Sequence, residues 1–165
     1  MSAVTVRAEE VRALVADVPD PEVPVLTIDD LGVLREVTVD ATGHVRVDIT
    51  PTYSGCPAMD AIRSDVEQRL WAAGHHDAEV RLVLSPAWTT DWMSEAGRRK
   101  LADYGIAPPS GSAPVLGAVP LSLSVRCPQC GSPDTRELSR FGSTACKALW
   151  RCQACREPFD HFKAF

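Results

Sequence analysis

The chain has 165 residues, 45 % of them apolar and 24 % charged, with 22 acidic and 17 basic side chains and a formal charge of −5. That is ordinary globular composition, and it argues against a nucleic-acid or membrane footprint spread over the whole molecule. Residues 1–104 hold 10 basic and 18 acidic groups, whereas residues 105–165 hold 7 and 4, an asymmetry that suggests two modules.

The N-terminal stretch lacks a basic region followed by an unbroken apolar core, so it does not read as a secretory signal. No apolar run approaches the about 20 residues needed to span a bilayer. A cytoplasmic setting is expected, where clustered cysteines point to metal more often than to disulfides.

Val11, Leu14, Val15 and Val18 recur at helical spacing and Pro19 closes the segment, which predicts a helix over about 6–18. The following VPDPEVPVLTIDDLG carries three prolines that preclude regular structure. Val33–Val39 and the alternating Val45, Val47 and Ile49 predict two strands joined at Asp40–Gly43.

Met59, Ile62, Val66, Leu70 and Ala73 share one face of a predicted helix that Gly74 stops. A strand is expected at Val80, Leu82 and Leu84, ended by Ser85-Pro86. Trp92, Met93, Ala96, Leu101 and Tyr104 then predict a last helix, with Gly105 as its stop. The first module, residues 1–104, is therefore read as a small α+β domain of order α-β-β-α-β-α. Residues 105–124, rich in Pro, Gly, Ser and Ala, read as a linker to a third segment, 125–165.

That segment contains Cys127-Pro-Gln-Cys130 and Cys152-Gln-Ala-Cys155, two CxxC pairs 21 residues apart. Four thiolates satisfy the tetrahedral preference of Zn²⁺ and leave no position open for catalysis, so the expectation is a zinc ribbon with one structural ion. The knuckle Cys-Pro-Gln-Cys-Gly also resembles that of rubredoxin, which keeps a four-thiolate iron site open. Few large apolar residues are present, so such a module needs metal to fold. Cys146 is a spare thiol, either buried and inert or an accessory to an alternative cluster. The module's small positive excess makes a weak case for nucleic acid.

Cys56 stands apart, between Gly55 and Pro57. Proline suits the first turn of a helix, which places Cys56 at the N-cap near the positive end of the dipole, a position that lowers a thiol pKa. It is read either as a nucleophile or soft-metal ligand or as a small packed cap. None of His44, His75, His76 and His161 is placed to be its base, and all four read as solvated groups. Asp20, Glu22, Asp29 and Asp30 read as loop carboxylates, and Trp88 and Trp92 as core or interface.

Asp20–Val37 followed by Thr50–Pro57, with its DPE-x-P, D-L-G and T-x-T-x-x-G-C-P elements, resembles the iron–sulfur assembly-factor domain family. Pro86–Pro109 combined with Arg140–Lys163 looks like the D-subunit family of multicomponent phenylacetyl-CoA epoxidases. The resemblance implies an accessory, non-catalytic role in maturing the cofactor of a reductase or diiron oxygenase subunit. The chain itself has no paired Glu-x-x-His, no GxGxxG and no plant-type ferredoxin cysteines.

The same resemblance makes Cys56 a transient ligand for iron or an iron–sulfur cluster, with Asp20, Glu22, Thr50 and Thr52 supporting the site. Since no second cysteine is close in sequence, a whole cluster would draw on a partner's thiols, on Cys146, or on Cys56 of a second copy, which leaves homodimerisation open. The alternatives are a docking scaffold for the oxygenase and a thiol-based redox or transfer protein using Cys56.

Overall fold

The computed structural model describes residues 3–110 and 125–165. Its contacts group into two compact units, one running up to Trp88 and including Trp92–Ser94, the other comprising Thr89–Asp91 and Glu95–Phe165.

The first unit opens with α1 (Ala3–Val15), which buries Val11 and Val15. This helix stops three residues short of the expected end. The residue before a proline is driven out of the helical region, and Val18, before Pro19, instead packs in the core from an irregular turn. Residues 16–33 form neither helix nor a full strand, as the prolines require, but they are far from a loose loop. Val18, Val23, Leu26, Ile28, Leu31 and Val33 are all at most 2 % exposed. The loop satisfies its own backbone: Asp20 N–H donates to Leu26 O (2.9 Å) and Ile28 N–H to Val18 O (2.9 Å).

Strands β1 (Leu34–Val39) and β2 (Val45–Ile49) form the expected antiparallel hairpin, with Val37 opposite Val47 and Val39 opposite Val45. The Asp40 carboxylate organises its turn, accepting from Thr42 N–H, Thr42 Oγ1 and His44 N–H. Helix α2 (Ala58–Ala72) crosses over to β3 (Glu79–Leu82), which lies parallel to β2 and completes a sheet of order β1-β2-β3. Met59, Ile62, Val66 and Leu70 are the buried stripe of α2, each stabilising by about 1.5–3 kcal/mol as an upper limit. Asp48 on β2 accepts both Arg81 Nε and Nη2 at 2.9 Å, tying β3 to the sheet from the face opposite Val80.

The tail of this unit explains the D-L-G element. Trp88 Nε1 donates to Leu31 O at 2.8 Å, Ser94 N–H donates to Asp30 O at 2.8 Å, and the Arg35 guanidinium stacks 3.5 Å from the centre of the Trp92 ring. Gly32 has φ +71°, and a Cβ there would lie 2.5 Å from Trp92 O. Trp92 and Met93 were expected on the last helix, but these anchors hold them in the first unit, and only a 3₁₀ turn (Thr90–Trp92) precedes α3.

In the second unit, α3 (Glu95–Asp103) leads into β4 (Ile106–Ala107), followed by β5 (Thr135–Ser139), β6 (Lys147–Cys152) and β7 (Pro158–Phe162). The sheet order is β4-β7-β6-β5, with β4 parallel to β7 and the other pairs antiparallel. Arg98 fastens α3 by donating to Pro109 O (2.9 Å) and Thr90 O (2.7 Å). Helix α3, expected in the first module, and Ile106–Ala107, expected in the linker, thus associate with the ribbon. The remainder of the expected linker from residue 111 lies outside the described residues.

Candidate metal centre and buried thiol

Each CxxC pair occupies a tight turn beside the β5–β6–β7 sheet. In the first knuckle Gly131 N–H donates to Cys127 O (2.8 Å) and Cys127 N–H to Ser132 O (3.0 Å), with Gly131 at φ +74°. The second knuckle repeats this with Arg156 at φ +70° in the place of the glycine, and Cys152 N–H bonded to Glu157 O (3.0 Å).

The two turns bring the Sγ atoms of Cys127, Cys130, Cys152 and Cys155 all within 4.8 Å of one another. Cys127 and Cys155 are 3.7 Å apart, and Cys130 and Cys152 3.6 Å. A tetrahedron with metal–sulfur bonds of about 2.3 Å has edges of about 3.8 Å, so one ion fits this donor set. An iron–sulfur cluster would divide the thiolates among two or four irons and spread the set of sulfurs wider.

The electrostatics point the same way. The N–H groups of Cys155 and Ala154 draw the Cys152 thiol down to about 6. The N–H of Glu157 acts to lower Cys155, but burial and the adjoining sulfurs of Cys152, Cys130 and Cys127 push it up to about 12. Four sulfurs so close cannot all ionise without a cation between them. The core around them is small: Ala107, Val125, Cys127, Cys152 and Phe159, with Trp150 and Cys155 against it. A metal cross-link replaces the apolar area that this segment lacks.

Cys146 does not join the four sulfurs. It is 3 % exposed, with the Thr144 hydroxyl 3.0 Å from its sulfur. His161, expected to be solvated, is half-buried on β7. Its ring meets Trp150 edge-on at 5.7 Å, its Nε2 has no hydrogen-bond partner among the described residues, and burial pushes its pKa down to about 4. The Trp150 ring on the neighbouring strand β6 covers it, a cross-strand contact that position in the sequence does not announce.

Cys56 lies in the first unit, at the end of a turn in which its N–H donates to Tyr53 O (3.2 Å). Gly55 before it takes φ +77°, and Pro57 (φ −67°, ψ −19°) occupies the cap of α2, with Cys56 one residue earlier than expected. The sulfur does receive the helix-start N–H, from Ala58, which lowers its pKa. Burial outweighs this: Cys56 is 9 % exposed, and desolvation, reinforced by the Glu22 and Asp20 carboxylates, leaves the thiol pKa raised. The lowered pKa expected of a thiol at a helix start is therefore replaced by a raised one, and the burial is that of the small packed cap, the other reading of this residue.

The side chain that shields it escaped the sequence reading. Tyr53 donates its hydroxyl to Glu22 Oε1 at 3.3 Å and also faces the Cys56 sulfur, and burial with those two neighbours drives its own pKa strongly upward. Its signal was the turn itself, since a three-residue step before a Gly-Cys bend sets side chain 53 beside side chain 56.

Of the other expected residues, Asp20 is 6 % exposed and accepts Glu22 N–H (2.9 Å) and Val23 N–H (2.8 Å), which presents Glu22 to Tyr53. Thr50 is buried, and with Thr52 it lines an open pocket of about 110 Å³ beside Pro51, Tyr53 and Trp88, with Leu84 at its exposed rim. Asp29 pairs with Arg12 at 2.6 Å, and Asp30 accepts Thr27 N–H at 3.1 Å. Among the described residues, only the four ribbon cysteines form a group of three or more His, Cys, Asp or Glu spaced for one ion, so the Cys56 group is not a ready-made metal cage. No described helix is long and apolar enough to cross a membrane.

Comparison with known proteins finds relatives for both parts of the chain. Residues 8–82 match the model of the iron–sulfur cluster assembly protein family, and residues 112–163 that of the PaaD zinc beta ribbon domain. A crystal structure of a DUF59 domain from Bacillus anthracis superposes with a TM-score of 0.56 at 29 % identity, over 60 % of this chain and 94 % of that one. An Fe-S protein maturation auxiliary factor of Porphyromonas gingivalis is 36 % identical over 56 % of this chain and 89 % of its own length. A protein of Escherichia coli K12, named as a candidate D-subunit of 1,2-phenylacetyl-CoA epoxidase, is 49 % identical over 95 % of this chain and 93 % of its own. An assembly-type α+β unit followed by a four-cysteine ribbon, matched along nearly its full length, places the chain in the D-subunit family of phenylacetyl-CoA epoxidases.

Proposed function

We propose that the chain is a cytoplasmic, non-catalytic component of a phenylacetyl-CoA epoxidase system that helps mature a metallocofactor of the reductase or diiron oxygenase subunit. The observation that carries the reading is the Cys56–Tyr53–Glu22 group, a shielded thiol in the unit related to iron–sulfur maturation factors. Cys56 takes iron or a cluster as cargo and passes it on. Burial and the Glu22 carboxylate hold the empty thiol protonated, and Asp20, Thr50 and Thr52 keep the loop in shape. A protonated, buried thiol is a poor nucleophile and a poor target for oxidants, so the site is protected between deliveries. Binding of a soft cation displaces the proton. The ribbon cysteines hold one structural zinc, which supplies folding energy and no chemistry.

The raised thiol pKa weighs against a redox or transfer enzyme built on Cys56. Iron content and turnover of reductase and oxygenase purified from cells lacking this protein are the test. Iron loading is expected to fall in one of them, and Cys56→Ser is expected to reproduce the loss. Full iron and normal turnover in both subunits would sink the maturation role.

A further inference from the structure

The sheet of the first unit ends on β3, and that edge has no partner among the described residues. Val83 N–H donates to Ile49 O at 2.8 Å, so Val83 directs its backbone groups toward β2. Backbone direction alternates along a strand, which turns the N–H and C=O of Val80, Leu82 and Leu84 outward. The side chains of Leu82 and Leu84 continue the face on which Val80 is buried, yet they are 50 % and 63 % exposed. Two exposed leucines beside a free edge are what edge strands usually avoid. Arg81 does not guard the edge, because its guanidinium is engaged by Asp48 on the opposite face of the sheet.

We propose that this edge pairs with the same edge of a second copy of the chain, antiparallel about a two-fold axis through Leu82. In that register Leu82 meets its own counterpart, and Val80 faces Leu84 of the partner subunit on either side. All three outward-facing residues then share backbone bonds, about six in total. Arg81 stands opposite Val83, so no like charges oppose one another. Two other registers are worse. An axis through Arg81 sets two guanidinium stems together and turns inward-directed backbone groups to the partner. An axis through Val80 leaves Leu84 against residues 75–78, which form a turn. The contact is short, so it makes a concentration-dependent dimer rather than a permanent one, and it buries leucines at both copies. It does not depend on the role given to Cys56.

Light scattering on the full, metal-replete chain from low to high concentration is the experiment. The mass is expected to rise from 17.9 kDa toward twice that value. The double variant Leu82→Lys/Leu84→Lys changes only exposed side chains and is expected to keep the wild-type circular dichroism while weakening association at least about tenfold. Hydrogen-bonded antiparallel neighbours have Cα atoms about 5.5 Å apart, within disulfide range, so Leu82→Cys is expected to give an interchain 82–82 link that Val83→Cys does not. A chain that stays monomeric at every concentration overturns the proposal and leaves the edge for a strand of another protein. Association unaffected by the lysines, or equal cross-linking at 82 and 83, overturns it as well.

Discussion

Replacing Gly32 by alanine isolates the close approach that fastens the Trp92–Ser94 segment to the D-L-G turn. Alanine at φ +71° costs about 1–2 kcal/mol for the left-handed backbone alone. Its methyl would then lie 2.5 Å from Trp92 O and 2.7 Å from Trp92 Cβ, so the segment must move. Moving it gives up the Ser94 bonds to Asp30 and the Arg35–Trp92 stack, about 1 kcal/mol each. The expected loss is about 3–5 kcal/mol, a large part of the stability of a small unit.

Gly43→Ala is the internal control. Gly43 has φ +90° in the β1–β2 turn with nothing within 4 Å of a new Cβ, so it bears only the backbone strain, about 1 kcal/mol. Urea unfolding followed by tryptophan fluorescence and far-UV circular dichroism on metal-loaded protein gives both values. If the two variants differ by less than about 0.5 kcal/mol, the packing argument at Gly32 is wrong.

Three further outcomes follow from the two sites. Tyr53 lowers and Glu22 raises the Cys56 pKa, so Tyr53→Phe is expected to slow alkylation of Cys56 at mildly alkaline pH and Glu22→Gln to speed it, each about two- to tenfold, read by iodoacetamide labelling and peptide mass. His161 titrates at about 4 in the fold against its ordinary 6.5, so the unfolded chain takes the proton first. Its contribution is complete above about 6.5 and is lost as the pH falls toward 4; against His161→Gln measured at each pH, the wild type should show the steeper decline. Complete chelation is expected to release one zinc per chain and to abolish amide protection across β5–β7 while β1–β2 keep theirs, which hydrogen exchange would resolve.

The parts of the molecule legible in the sequence are those with a local period or a fixed spacing. The stripe Met59–Ile62–Val66–Leu70, the hairpin alternation and the paired CxxC knuckles each carry their instruction within a few residues. What stayed hidden depends on residues far apart in the chain. Trp88 meets Leu31 across 57 positions and Tyr53 meets Glu22 across 31, through a proline-rich loop with no period. The acidity expected of Cys56 followed from a real local cause, the N–H of Ala58, and was overruled by that long-range burial. Likewise the composition of residues 105–110 suggested a linker, while the pairing of Ile106–Ala107 with β7 depends on a strand some 50 residues later.

The four ribbon sulfurs are not equivalent toward solvent. Cys152 is fully enclosed and Cys127 nearly so, whereas Cys130 is exposed. Loss of a bound ion would therefore have a direction: a chelator or an oxidant would gain its first foothold at Cys130, while the more enclosed sulfurs would still hold the ion. The lifetime of a filled ribbon under oxidative stress would thus be set first at Cys130, its most accessible sulfur, and next at the partly exposed Cys155.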